Sequence, residues 1–112
     1  MATPTKFSEL APSRKALIRM MQVLNYGSIL NVQIVNGDVR VDNEVETLID
    51  IRLDEEVKAR IELQLADFTL PAEARRLMAT LDAFQNGTIE RIIVHAGVPR
   101  RVTLRSPVQF ID

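Results

Sequence analysis

Six arginines in the second half of the chain are the one grouping that suggests recognition chemistry: Arg75, Arg76, Arg91, Arg100, Arg101 and Arg105. A guanidinium donates through a planar fork that suits phosphate oxygens, so convergence of these side chains would make a polyanion site. His95 is the only histidine. As a catalytic base it would need an orienting carboxylate and a nucleophile, and nothing near it in sequence supplies either. Zinc is not expected from one His without Cys. Asp50, Asp54, Glu55, Glu56 and Glu62 form an acidic run. No calcium-type ligand loop follows them, and they read as a solvated acidic face. Gly27, Gly37, Gly87 and Gly97 stand singly, as turn glycines do, and not as a phosphate cradle. The expectation is therefore of no catalytic residue, no cofactor, no metal and no enzyme.

Composition sets the setting for these residues. A chain of 112 residues has room for one domain with one modest core. Hydrophobic residues make up 46%, which suits a folded chain, while aromatics make up only 4%. The core is thus expected to be aliphatic, with few surfaces on which bases could stack. The absence of Cys removes disulfides and thiolate chemistry and fits a reducing compartment. MATPTKFSELAPS carries Lys6 with no apolar run after it, unlike a signal peptide, and no segment approaches a bilayer span. A soluble cytoplasmic protein without a membrane partner is expected. Net charge is −1, with mildly basic ends and an acidic connector over 43–68. Nucleic-acid binders usually carry a stronger cationic footprint.

The elements that would position the arginines come from one design written twice. Residues 14–41 and 74–101 align without a gap at an offset of sixty, matching Leu17 with Leu77, Gly27 with Gly87, Ile29 with Ile89 and Gly37 with Gly97. The alternative is chance similarity between two common motifs. Each copy spells an amphipathic helix, a glycine stop and a hairpin. Helices are expected over about 13–25, capped by Ser13, and 70–85, capped by Thr69 with Pro71 in the first turn. Leu17, Met20, Met21 and Leu24 make the first stripe, with Lys15, Arg19 and Gln22 pointing elsewhere; Leu77, Leu81 and Phe84 make the second. Gly27 and Gly87 would take the left-handed cap conformation.

Strands are expected over about 28–35, 38–42, 47–53, 88–95 and 99–105. Residues 55–68 fit a helix by spacing and a strand by alternation, with a lean to an extended 60–65. Leu30, Val32 and Ile34 would face the core. Asn36-Gly37 demands a type I′ turn that sets Val35 opposite Asp38, Ile34 opposite Val39 and Val32 opposite Val41. In the second hairpin a tight turn at Ala96-Gly97 sets Pro99 opposite Val94 but turns Val102 and Leu104 away from the core. A bulge near Pro99 or Arg100 would bring them back, with Pro99 on an edge strand. Val108 and Phe110 of the tail SPVQFID would pair with an edge or be exchanged between subunits.

These pieces give an α+β fold, a two-layer domain of two helices on a largely antiparallel sheet built from two α-β-β repeats. Residues 1–12 are read as a flexible lead-in and 13–112 as a single domain, with repeat one at 14–41, connector at 42–69 and repeat two at 74–101. LNYGSILNVQIVNGDVRV resembles a helix–hairpin motif of small uncharacterised bacterial proteins, Leu-x-Tyr-Gly-Ser followed by strand, Gly and strand. NGTIERIIVHAGVPRRVTL is similar to their closing segment. The resemblance implies a fold and no catalytic residue. Two short helices barely cover such a sheet, so a homo-oligomer, a dimer in particular, or another protein partner is expected. The reading is a non-catalytic protein-interaction or self-assembly module; the alternative is binding of nucleic acid or another polyanion through the arginines of repeat two.

Overall fold

The computed structural model describes residues 4–42, 44–56 and 64–105. Its elements fall at the expected spacing: α1 (Pro12–Leu24), β1 (Gly27–Val35), β2 (Asp38–Arg40), β3 (Glu46–Ile49), α2 (Ala72–Phe84), β4 (Gly87–His95) and β5 (Val98–Arg105). Both helices and both long strands begin and end sixty residues apart. The sheet runs β2-β1-β4-β5 and is antiparallel throughout, with β3 also paired to β1. Two helices on one antiparallel sheet is the α+β architecture expected from the duplicated pattern.

The central pairing follows from the duplication. Gly27 lies opposite Val94 and Ile34 opposite Gly87; Ile29 lies opposite Ile92 and Val32 opposite Ile89. Each pair maps onto another when sixty is added or subtracted, so β1 and β4 are related by a pseudo-twofold axis. The turns complete the relation. The Gly37 N–H donates to the Gln85 carbonyl at 2.8 Å, and the Gly97 N–H donates to the Asn25 carbonyl at 2.9 Å. Each hairpin turn is thereby bonded to the helix end of the other repeat, which supplies acceptors for donors that the turns expose.

Both turns have left-handed backbone at their two central residues, φ 52° and 81° at Asn36-Gly37 and 55° and 76° at Ala96-Gly97. The expected register holds for Val35–Asp38 and Ile34–Val39, but β2 ends at Arg40, and Val41 is exposed instead of facing Val32. In the second hairpin Val94 pairs with Pro99 and Ile93 with Arg101, so Arg100 is the extra residue of a bulge. Val102 and Leu104 then lie opposite Ile92 and Ile89 and pack on the core, with Pro99 on the edge strand β5. This is the bulge that the apolar pattern required.

Several local expectations are corrected. Gly27 and Gly87 do not end the helices. Asn25 and Gln85 take the left-handed position after them (φ 67° and 58°), and each glycine opens a strand. Glycine is needed at 27 for space, since a Cβ there would sit 1.9 Å from the Leu48 carbonyl oxygen. Ser13 and Thr69 do not cap. The residues before the helices are Ala11 and Pro71, without side-chain cap bonds, and the Ser13 hydroxyl is buried without a partner. Asn31, at φ 68°, puts a phase break in β1, so Ile29 joins Val32 and Ile34 in the core and Leu30 does not. Strict alternation from Leu30 cannot anticipate such a break.

The helix stripes shift in the same way. Leu17, Ile18, Met21 and Leu24 are buried on α1 together with Gln22, and Leu77, Met78 and Leu81 on α2, while Phe84 is exposed. The third strand stops at Ile49, and Ile51 and Leu53 beyond it stand in solvent. Of the extended 60–65 segment, 60–63 fall outside the described residues, and Gln64 and Leu65 are not in a strand. The tail from Ser106 onward also lies outside them.

The segment read as a lead-in contributes two core side chains, Phe7 and Leu10. Phe7 stacks on Phe68 of the connector with ring centroids 4.9 Å apart, and the Arg19 guanidinium lies 4.3 Å from the Phe7 ring centre. A delocalised cation over an aromatic face gains from the ring quadrupole. Two carboxylates fasten this corner. The Thr5 and Lys6 N–H groups donate to Glu9 and hold its carboxyl below the usual range; the N–H and hydroxyl of Ser8 do the same to Asp67.

Candidate functional site

The six arginines are divided by the pleat of the sheet. Arg91, Arg101 and Arg105 lie opposite Thr103, Ile93 and Thr88, out of phase with the buried Ile89, Ile92 and Val94. They therefore belong to the face of the sheet that carries no helix. Arg75 and Arg76 lie in the first half of α2 on the other side, and Arg100 turns toward that helix at the bulge. Arg100 is ion-paired to Glu73 at 3.2 Å, and Arg105 is ion-paired to Glu90. Both pairs are solvent-exposed and so hold their guanidinium groups only weakly. A shallow depression between α2 and β5 is lined by Glu73, Arg76 and Thr80 along one face of the helix and, across from them, by β5 from Pro99 to Val102, Arg100 among its residues. The Arg75 Nε is buried without a partner. The structure thus brings Arg76 and Arg100 together on the helix side and leaves Arg91, Arg101 and Arg105 on the other face of the sheet.

His95 ends β4 exposed, its ring 6.0 Å from that of Tyr26. Asp50, Asp54, Glu55 and Glu56 are exposed, and Glu62 lies outside the described residues. Arg52 donates to Asp54 at 2.8 Å and holds that carboxyl below the usual range. Among the described residues no three His, Asp or Glu side chains are placed to hold one metal ion. No helix among them is long and apolar enough to cross a membrane.

A different feature stands out on the surface. In repeat two, β5 pairs with β4 along its length. In repeat one that place is shared: β2 pairs with the far end of β1, and β3 returns to pair with its beginning. Leu48 lies opposite Ser28 as Arg105 lies opposite Thr88, so the offset falls from sixty to fifty-seven and three extra residues loop out. Among the described residues β3 pairs only with β1, and its outer edge is open. It carries Leu48 and Ile49, 51% and 59% exposed, and leads to Ile51 and Leu53, 61% and 95% exposed. Beside it, Ala16, Met20 and Val23 of α1 form with Ile49 a mainly apolar hollow of about 340 Å³.

The alternation of Ile49, Ile51 and Leu53 was visible in the sequence, but which side of it would be covered was not. Val23 gave no such signal. Neither the known protein families nor the curated proteins nor the solved structures compared with this chain include a match to it.

Proposed function

We propose that this chain is a non-catalytic self-assembly module that joins a second copy through the outer edge of β3 and the adjoining face of α1. The observation that carries this reading is the open edge of β3, where Ile49 is exposed, together with the exposed Ile51 and Leu53 that follow it and Val23 on the adjoining face of α1. An edge strand presents unpaired N–H and C=O groups, and soluble proteins usually protect it with charge, proline or a covering element. Here only Glu46 supplies a charge, and the half of β3 formed by Leu48 and Ile49 is apolar and exposed. Two copies related by a twofold axis would pair β3 with β3 antiparallel and bury the hollow beside α1, as a self-complementary interface requires. The division of the arginines between two faces, with Arg100 and Arg105 already in ion pairs, favours this reading over polyanion binding.

Light scattering coupled to size-exclusion chromatography, run over a range of concentrations, tests the proposal. The expected result is a dimer that Ile49→Lys converts to a monomer, with Phe84→Lys, on the exposed end of α2, leaving the mass unchanged. A monomer at every concentration, or a dimer indifferent to Ile49→Lys, refutes it.

A further inference from the structure

The pseudo-twofold axis creates two equivalent slots between the helices and the hairpin turns, and they are filled differently. In the first slot Arg14 reaches from α1 toward α2. Its Nη2 donates to the Gly37 carbonyl at 2.8 Å and to Asp82 Oδ1 at 2.7 Å, and its Nη1 lies 3.5 Å from the Met78 carbonyl. The side chain is only 12% exposed. At the sixty-residue offset Arg14 corresponds to Ala74, Gly37 to Gly97, Met78 to Ile18 and Asp82 to Gln22. In the second slot the long side chain is thus replaced by a methyl group. A cavity of about 260 Å³ stands there, lined by Ala74, Gly97, Ile18 and Gln22, with Phe68 and Pro99.

The polar groups left in the second slot differ from those of the first. Gln22 is 4% exposed, and its Oε1 accepts from Arg19 Nη1 at 2.9 Å. A guanidinium only donates, so this bond fixes the amide oxygen toward Arg19 and turns the Nε2 hydrogens away from it. The Gly97 N–H is committed to Asn25, while its carbonyl occupies the place of the one that Arg14 satisfies in the first slot. No charged side chain lines the cavity, and the carboxylate of the first slot has become a neutral amide.

We propose that this cavity binds a small, neutral, planar molecule with an amide-type edge. Its N–H donates to the Gly97 carbonyl, its oxygen accepts from Gln22 Nε2, and its ring packs against Ile18, Phe68, Ala74 and Pro99. A cation would find no counter-charge, with Arg19 just behind Gln22, and a carboxylate would set its charge against the Gly97 carbonyl. Benzene fills an apolar cavity of about 150 Å³. The larger volume here admits one ring with a carboxamide attached.

Three probes of one shape but different charge decide the matter: benzamide, benzamidine and benzoate, each titrated into the full chain and followed by the methyl resonances of Ile18, Ala74 and Val98. Benzamide is expected to shift these signals with a Kd on the order of millimolar, as suits so small a ligand. The two charged analogues should bind about tenfold more weakly, because neither finds a complementary charge. Ala74→Arg returns the first slot's occupant and should abolish benzamide binding. Gln22→Met keeps the volume but removes the donor, and should weaken benzamide about tenfold while leaving toluene binding intact. Absence of benzamide-dependent shifts overturns the proposal, as does tighter binding of benzamidine. So does unchanged benzamide binding in a folded Ala74→Arg chain or in Gln22→Met, the latter deciding alone if Ala74→Arg does not fold.

Discussion

Replacing Arg14 with alanine should be the most costly change to a charged side chain among the described residues. The arginine joins three elements, α1, the β1–β2 turn and α2, from a side chain that is 12% exposed. Its loss leaves the Gly37 carbonyl without its 2.8 Å donor in a part-buried position. A hydrogen bond from a charged donor contributes about 1.5–3 kcal/mol. Asp82 is 57% exposed and would be rehydrated, so its ion pair adds little. With the packing of the aliphatic stem included, the loss comes to about 2–3 kcal/mol. For a domain of this size that is roughly 8–12 °C in Tm. Reversible thermal and urea unfolding would measure it, with the urea m-value unchanged. Arg100→Ala serves as the contrast, because its pair with Glu73 is exposed at both ends and should be worth less than about 1 kcal/mol. Should Arg14→Ala fall within about 0.5 kcal/mol of the parent, this guanidinium does not fasten the repeats together.

Further outcomes follow from the symmetry and its breaks. Gly27→Ala would drive a Cβ to 1.9 Å from the Leu48 carbonyl oxygen, whereas the equivalent Cβ at Gly87 meets Arg105 at 3.4 Å. The first should cost about 3 kcal/mol or more, with loss of the β1–β3 cross-strand contacts by NMR, and the second about 1–2 kcal/mol. Ala96 holds a left-handed φ of 55° that asparagine fills in the other turn, so Ala96→Asn should raise stability by about 0.5–1 kcal/mol in urea unfolding. At Asn31, φ 68°, Asn31→Gly should be nearly neutral and Asn31→Val should cost about 1–3 kcal/mol. Glu9 and Asp67 have lowered carboxyl pKa values in the fold, so their contribution is complete above about pH 5, beyond the ordinary carboxylate range, and is lost as pH falls through the lowered values. Amide-exchange protection at Phe7 and Leu70, bonded to Phe68 and Thr5, should therefore drop on acidification before protection in β4 does.

Local chemistry was enough to determine much of the architecture from sequence. The sixty-residue offset predicts two copies of helix, strand and hairpin, because glycine and asparagine at a turn and apolar spacing along a helix act within a few residues. The apolar pattern of the second hairpin also required a bulge near Pro99 or Arg100, since without one Val102 and Leu104 would face away from the core, and it falls at Arg100. Contacts between the copies belonged to the tertiary structure. That Gly37 bonds to Gln85 and Gly97 to Asn25, that Gly27 lies under Leu48, and that Asn31 shifts the phase of β1 all depend on what the second repeat or β3 places alongside. The same holds for function. Arginines crowded in sequence are separated by the alternation of a strand and by the two sides of a sheet. Arg14 and Ala74, unlike at equivalent positions of the two repeats, acquire meaning only when the pseudo-twofold axis sets one slot against the other, because a cavity is defined by residues that are far apart along the chain.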